Sequence, residues 1–168
     1  MAHYLAYWRS FWDEDLNTRH SYIGWGTSSP SKFARNDVLW IIVRASDPRF
    51  VTTNRYEWRL ARCLYVSCNC VVRESRYGKY MYRVVAELPD SIVFSNLEMQ
   101  GNLSPELKKL QFEPAKSIPY TVNDSFMGKY FQRTRKLCES DIQILQKYSD
   151  LLPRFAGEIY THNCSSTT

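Results

Sequence analysis

A chain of 168 residues with 44% hydrophobic side chains can bury one core and is short for two, so a single domain is expected over residues 1–160, with 161–168 a polar tail or linker. Its five cysteines are odd in number and no signal segment or long apolar span accompanies them, which argues against a disulfide scaffold or a membrane protein and for a reducing, cytoplasmic setting. The net charge is only +5, yet residues 32–83 hold eleven Lys or Arg against Asp37, Asp47, Glu57 and Glu74, a local excess of seven that favours an anionic partner.

In chain order, His3 to Trp8 reads as a strand in which Tyr4, Ala6 and Trp8 face one way and His3, Leu5 and Tyr7 the other. Ser10 ahead of Asp13-Glu14-Asp15 has the composition of a short helix start, a hydroxyl cap with carboxylates at the positive end of the dipole. From Ser21 to Ser31 the chain is rich in Gly, Ser and Pro, and Trp25 between Gly24 and Gly26 is expected on a loop. Two readings of that ring stay open: a plug at the core edge, or a face presented to a flat ligand.

Asp37 to Val43 is a β-branched and aromatic run without helical period, a central strand buried on both faces. In Tyr56 to Val66 the alternation places Trp58, Leu60, Arg62, Leu64 and Val66 on one face, and Arg59, Ala61, Cys63 and Tyr65 on the other, as in a half-exposed strand flanked by arginines. Tyr77-Gly78 between Val71–Arg76 and Lys79–Leu88 predicts a hairpin, and Ile92 to Phe94 a further short strand. These five or six strands suit an α+β fold, a small, mostly antiparallel barrel that hides its edges, with peripheral helices. Leu39, Ile41, Val43, Leu60, Leu64, Val84 and Phe94 are the expected core.

Beyond it, Ser104 and Pro105 open a short helix, Phe112 to Asn123 wraps the surface around Pro114 and Pro119, and Ser125 to Phe131 forms a helical turn. Ser140 to Leu152 spaces Ile142, Leu145, Tyr148, Leu151 and Leu152 as an amphipathic helix docked on the barrel and stopped by Pro153.

Catalytic signatures are sparse. Cys68-Asn69-Cys70 leaves too little chain for a zinc knuckle, and His3, His20 and His162 are scattered, so no metal or cofactor is expected. Pro89-Asp90 followed by Glu106-Leu107-Lys108 matches the order of a magnesium nuclease, but that chemistry needs a strand where Ser104-Pro105 signals a helix. No serine sits in a strand-to-helix elbow and no histidine motif activates a thiol, so no catalytic residue is assigned and the chain is read as a non-enzyme.

Tyr7-Trp8-Arg9-Ser10, then Ile23-Gly24-Trp25-Gly26-Thr27, then Asn36-Asp37-Val38-Leu39-Trp40-Ile41 and Trp58-Arg59-Leu60 together resemble the PUA-like superfamily, closest to its EVE and YTH branches. The resemblance covers roughly residues 2–95 and implies a barrel with an aromatic cage beside the first strand for a flipped, modified base. Trp25 matches the tryptophan after the first helix in those families. Asn36-Asp37 matches their Gly-Asp, with Asn in place of Gly. The implied base pocket takes in Ser10, Gly24, Trp25 and Thr27, with Trp8, Trp12 and Tyr77 the candidates for a second ring by their positions near strand ends, while Trp40 and Trp58 belong to the core. Lys32, Arg35, Arg59, Arg62, Arg73, Arg76 and Lys79 are the expected phosphate contacts.

Such modules also read DNA in modification-dependent restriction systems, so a fused or partner nuclease or NTPase fits. Modified double-stranded DNA is favoured over RNA as the ligand, without a membrane partner. An RNA reader of the same fold, a nuclease component and a protein-interaction domain are the alternatives.

Overall fold

The computed structural model describes residues 1–14, 16–27, 33–45, 56–71, 82–114 and 117–160. Within them the strands are β1 (His3–Tyr7), β2 (Gly24–Thr27), β3 (Val38–Arg44), β4 (Trp58–Val71), β5 (Tyr82–Ala86), β6 (Ile92–Val93) and β7 (Arg135–Lys136). They form one mixed sheet ordered β2-β5-β4-β3-β1-β7, with β6 beside β4, and helices α1 (Leu16–His20), α2 (Ser104–Leu107) and α3 (Glu139–Ser149) around it.

β3 is central. It runs parallel to β1 from His3↔Val38 to Tyr7↔Ile42 and antiparallel to β4. Its alternation divides two cores: Val38, Trp40 and Ile42 join one, and Leu39, Ile41 and Val43 the other. This is the doubly buried strand expected from the apolar run. All seven expected core residues are buried, Phe94 at 4% exposure being the most open.

β4 departs from its expected reading. Ile41 pairs with Arg62 and Ile42 with Leu60, so Ala61 is an extra residue, a β-bulge. Because side chains alternate with period two, one extra residue exchanges the faces. Trp58 and Leu60 enter the first core, whereas Leu64 and Val66 enter the second. The strand is not half-exposed: Trp58 through Leu64 are all buried, Arg59 and Arg62 included.

The sheet is mostly antiparallel, as expected, with β1–β3 the parallel pair among the described strands. It is not closed into a barrel, since no ladder among the described residues joins β2 to β7. Near β2, chain from the C-terminal segment takes the free backbone groups instead: Ile23 N donates to Tyr160 O at 2.8 Å and Tyr160 N to Ser21 O at 3.1 Å. The sheet still curls, so that Trp8 beside β1, Trp25 of β2, and Val84 and Ala86 of β5 share the second core with Leu39 and Ile41.

The first core is covered by the helical segments through Leu103, Leu107, Met127, Phe131 and Leu145. Asp141 of α3, fully buried, accepts backbone N–H bonds from Gln111, Phe112 and Cys138 at 2.8, 2.9 and 3.2 Å, which fixes where the helix begins and the loop it docks on. α3 ends at Ser149, short of Leu152, and Leu151 is 81% exposed instead of on the apolar face. Ser10 makes no side-chain cap. It precedes a 3-10 turn (Phe11–Asp13), and α1 follows separately. The hairpin tip around Tyr77-Gly78 and the tail 161–168 lie outside the described residues, although Val71↔Tyr82 pairs where that hairpin would enter and leave. No helix of the described residues is long and apolar enough to cross a membrane.

Candidate ligand pocket

A cavity of about 1050 Å³ opens where the ends of β1, β2 and β3 meet the 3-10 helix Asp124–Phe131 and the turn that follows it. Its rings are Tyr7, Trp8, Trp25 and Phe131, its uncharged polar groups include Ser10, Thr27, Gln132 and Thr134, and its cations are Arg9, Arg44, Lys129 and Arg133. No carboxylate among the described residues lines it.

Each wall has a local cause. Trp8 follows β1 directly, and its N–H donates to Ile42 O at 3.0 Å, which carries β-pairing one residue further and turns the indole into the second core. Trp25 lies on β2, opposite Val84, and so is on a strand, not the expected loop. Pairing with β5 supplies the backbone partners that its Gly- and Ser-rich neighbours do not signal. The ring is 7% exposed and tilted against Phe33 at 6.4 Å. It therefore lines the cavity and packs in the core at once, so the two readings of Trp25 are not exclusive. Gly24 is required by close approach, because a Cβ there would lie 2.3 Å from Tyr22 Oη.

Arg44, the last residue of β3, lies 5.0 Å over Tyr56 and 5.2 Å over Trp58, and donates to Ser125 O at 3.3 Å. It thereby ties the 3-10 helix to the strand end. Trp12 donates from Nε1 to Arg44 O at 3.1 Å and carries Arg19 5.3 Å over its ring. It braces the pocket from outside, and neither Trp12 nor Gly24 lines it. Of the expected base-pocket residues, Trp8, Ser10, Trp25 and Thr27 come together here, and Tyr77 lies outside the described residues.

The expected phosphate contacts fare differently. Arg62 is fully buried: Nε donates to Tyr22 O at 2.8 Å, Nη2 to Thr18 O and Arg19 O at 2.7 and 2.9 Å, and the guanidinium lies 4.4 Å over the Trp8 ring. Burial pulls it down to about 9, still charged at neutral pH. Arg59, 3% exposed, donates to Leu97 O at 2.8 Å and Trp58 O at 3.0 Å and pairs with Glu57. Neither can reach a phosphate, because both faces of β4 are packed where alternation had read a half-exposed strand. Arg35 is exposed and pairs with Glu87 at 2.8 Å. Lys32, Arg73, Arg76 and Lys79 lie outside the described residues.

Sequence reasoning missed Arg9, Arg44, Lys129 and Arg133. Arg9 stood within the quoted Tyr7-Trp8-Arg9-Ser10 motif. The proximity of Lys129 and Arg133 to β1 is a tertiary fact with no local signal.

The nuclease motif does not assemble: Glu106 lies on α2 and pairs with Lys109 at 3.5 Å, Lys108 pairs with Asp124 at 2.8 Å, and Asp90 is in an exposed turn. Cys63 and Cys138 are free thiols, and burial pushes Cys63 up to about 12, an inert core residue. Comparison with protein-family models and with curated proteins finds no match.

Proposed function

We propose that the chain is a nucleic-acid-binding module that takes a modified base, turned out of double-stranded DNA, into the pocket beside β1. One observation carries this reading: among the described residues, four aromatic rings and four cations, and no carboxylate, line one cavity. Rings offer flat faces to a base, and an uncompensated positive rim suits the phosphates on either side of it. The volume stands at the upper end of the usual range for ligand pockets, about 300–1,000 Å³. Turning a base out of a duplex costs a few kcal/mol, which stacking at about 1–3 kcal/mol per base together with phosphate contacts offsets. The curled sheet with its pocket at the end of the first strand also supports kinship with the PUA-like barrels. Charge selects an anionic ligand but does not separate DNA from RNA, so both belong in the test.

The test titrates matched DNA duplexes and RNAs, unmodified, methylated, hydroxymethylated and glucosylated, against wild type, Trp25→Phe and Trp25→Ala, each with a thermal melt. Trp25→Ala should remove about 5- to 150-fold of the preference for the modified ligand while weaker non-specific binding survives. Since Trp25 also packs in the core, the alanine variant should lose up to about 3–5 kcal/mol of stability, and Trp25→Phe provides a better-folded comparison. A folded Trp25 variant that keeps the original preference sinks the proposal.

A further inference from the structure

Resting on the reading of this pocket as a base site, we propose that Arg62, lodged behind Trp8, sets its ligand class: an uncharged aromatic ring is accepted and a cationic one is rejected. Aromatic pockets ordinarily attract cations, because the negative face of each ring faces the ligand. Here one face of the pocket's first tryptophan is already engaged. The Arg62 guanidinium stands 4.4 Å from the Trp8 centroid, and Arg62 does not line the cavity, so it approaches from the protein side. Its hydrogen bonds go to carbonyls of Thr18, Arg19 and Tyr22, and among the described residues it has no ion pair and Nη1 has no partner. The positive charge is thus oriented by neutral carbonyls, with the Glu14 carboxylate acting on it electrostatically but not hydrogen-bonded to it.

Two consequences follow for a ligand on the cavity side of Trp8. The indole's electron density is drawn toward Arg62, which weakens its attraction for a second cation and suits a neutral ring. A ligand stacked in van der Waals contact would also lie about 8 Å from the guanidinium, through a low-dielectric ring and not through water, where like charges repel with little screening. The rim cations Arg9, Lys129 and Arg133 are exposed and act in the same sense, but salt screens them. Arg62 is also a positioning residue. By holding the carbonyls at the end of α1 and the start of the β2 approach, it ties the Trp8 wall to the segment leading into Trp25.

The experiment titrates paired nucleoside probes that differ in charge, 5-methylcytidine against 3-methylcytidinium and N6-methyladenosine against 1-methyladenosinium, with phenyltrimethylammonium as a non-nucleoside cation. The indole N–H resonances of Trp8 and Trp25 report binding. Neutral probes should bind at least about tenfold more tightly than their cationic partners. The ratio should persist near 1 M salt, where the Debye length is about 3 Å and the exposed rim is silent. Arg62→Met, if folded, should bring the ratio toward one, while Arg35→Gln, at an exposed residue outside the cavity, should leave it unchanged. Should Arg62→Met fail to fold, the wild-type ratio and its salt dependence still decide.

Cationic probes that bind as well as neutral ones, a ratio that vanishes at high salt, or probes that move neither indole would overturn the inference. If the neutral probes win while duplexes show no preference for a modified base, base reading fails and the charge selection stands. If duplexes show the preference but the charged probes bind equally, the reverse holds.

Discussion

Asn36 holds φ at 69°, in the left-handed region that glycine enters freely and asparagine more readily than other side chains. The next residue uses that turn: Asp37 accepts N–H bonds from Ala2 at 2.8 Å and Ala34 at 2.9 Å, setting the parallel start of β1 against β3. His3, one residue into this contact, accepts from Trp40 Nε1 at 3.3 Å through Nδ1. Burial lowers its affinity for a proton below the ordinary value of 6.5. The unfolded chain therefore binds the proton first, and the stability associated with neutral His3 is present above pH 6.5 and is lost as pH falls through the lower folded value. His3→Gln should flatten the fall in urea-unfolding free energy between pH 7 and 5. An unchanged slope in that variant would show that His3 does not carry it.

At the scale of elements, the bulge at Ala61 and the carboxylate of Asp141 settle what local patterns leave open. One extra residue in β4 moves Arg62 from the face of Trp58 and Leu60 to that of Leu64 and Val66, against Trp8 and behind the pocket wall. Asp141 fixes α3 by gathering three backbone donors from two chain segments into the protein interior. Asp141→Asn keeps the shape but replaces one acceptor oxygen with a donor group, which opposes a backbone N–H. Hydrogen bonds to a charged group contribute about 1.5–3 kcal/mol each, so a loss of about 3 kcal/mol is expected. For a chain of this size that lowers Tm by roughly 6–12 °C. A melt within a degree or two of wild type would show that the loop and helix hold together without the carboxylate.

For the whole molecule, the distribution of charge matters more than its sum. Arg59 and Arg62 are buried inside the protein, Arg35 is offset by Glu87, and Arg9, Lys129 and Arg133, from distant parts of the chain, line the cavity with no carboxylate beside them among the described residues. Arg9 and Arg133 are the proposed phosphate contacts, each expected to contribute about 0.9 to the slope of log affinity against log salt on duplex DNA. The Arg9→Gln, Arg133→Gln double variant should lower that slope by about 2 and weaken modified and unmodified duplexes alike. Arg35→Gln should change it less, because removing that charge frees Glu87. Equal effects of the two would relocate the phosphate path to the other side of the pocket.

The apolar run Leu39 to Val43, the alternation of β1, the short strand at Ile92 and the amphipathic spacing of Ile142, Leu145 and Tyr148 are legible in the sequence, because each depends on a periodicity shorter than the element itself. Trp25 was singled out through a resemblance of motifs, whereas its partner ring stayed open among Trp8, Trp12 and Tyr77, named only for their positions near strand ends. What tertiary structure decided is of another kind: that Ala61 bulges, that β2 is a strand because β5 offers it partners, that the sheet curls without closing, and that Lys129 and Arg133 reach a cavity begun by Tyr7 and Trp8. Hydrophobic periodicity records which face of an element is buried, but not which distant element covers it. Long-range contact therefore turned Arg62 from an expected surface cation into a buried charge behind a ring.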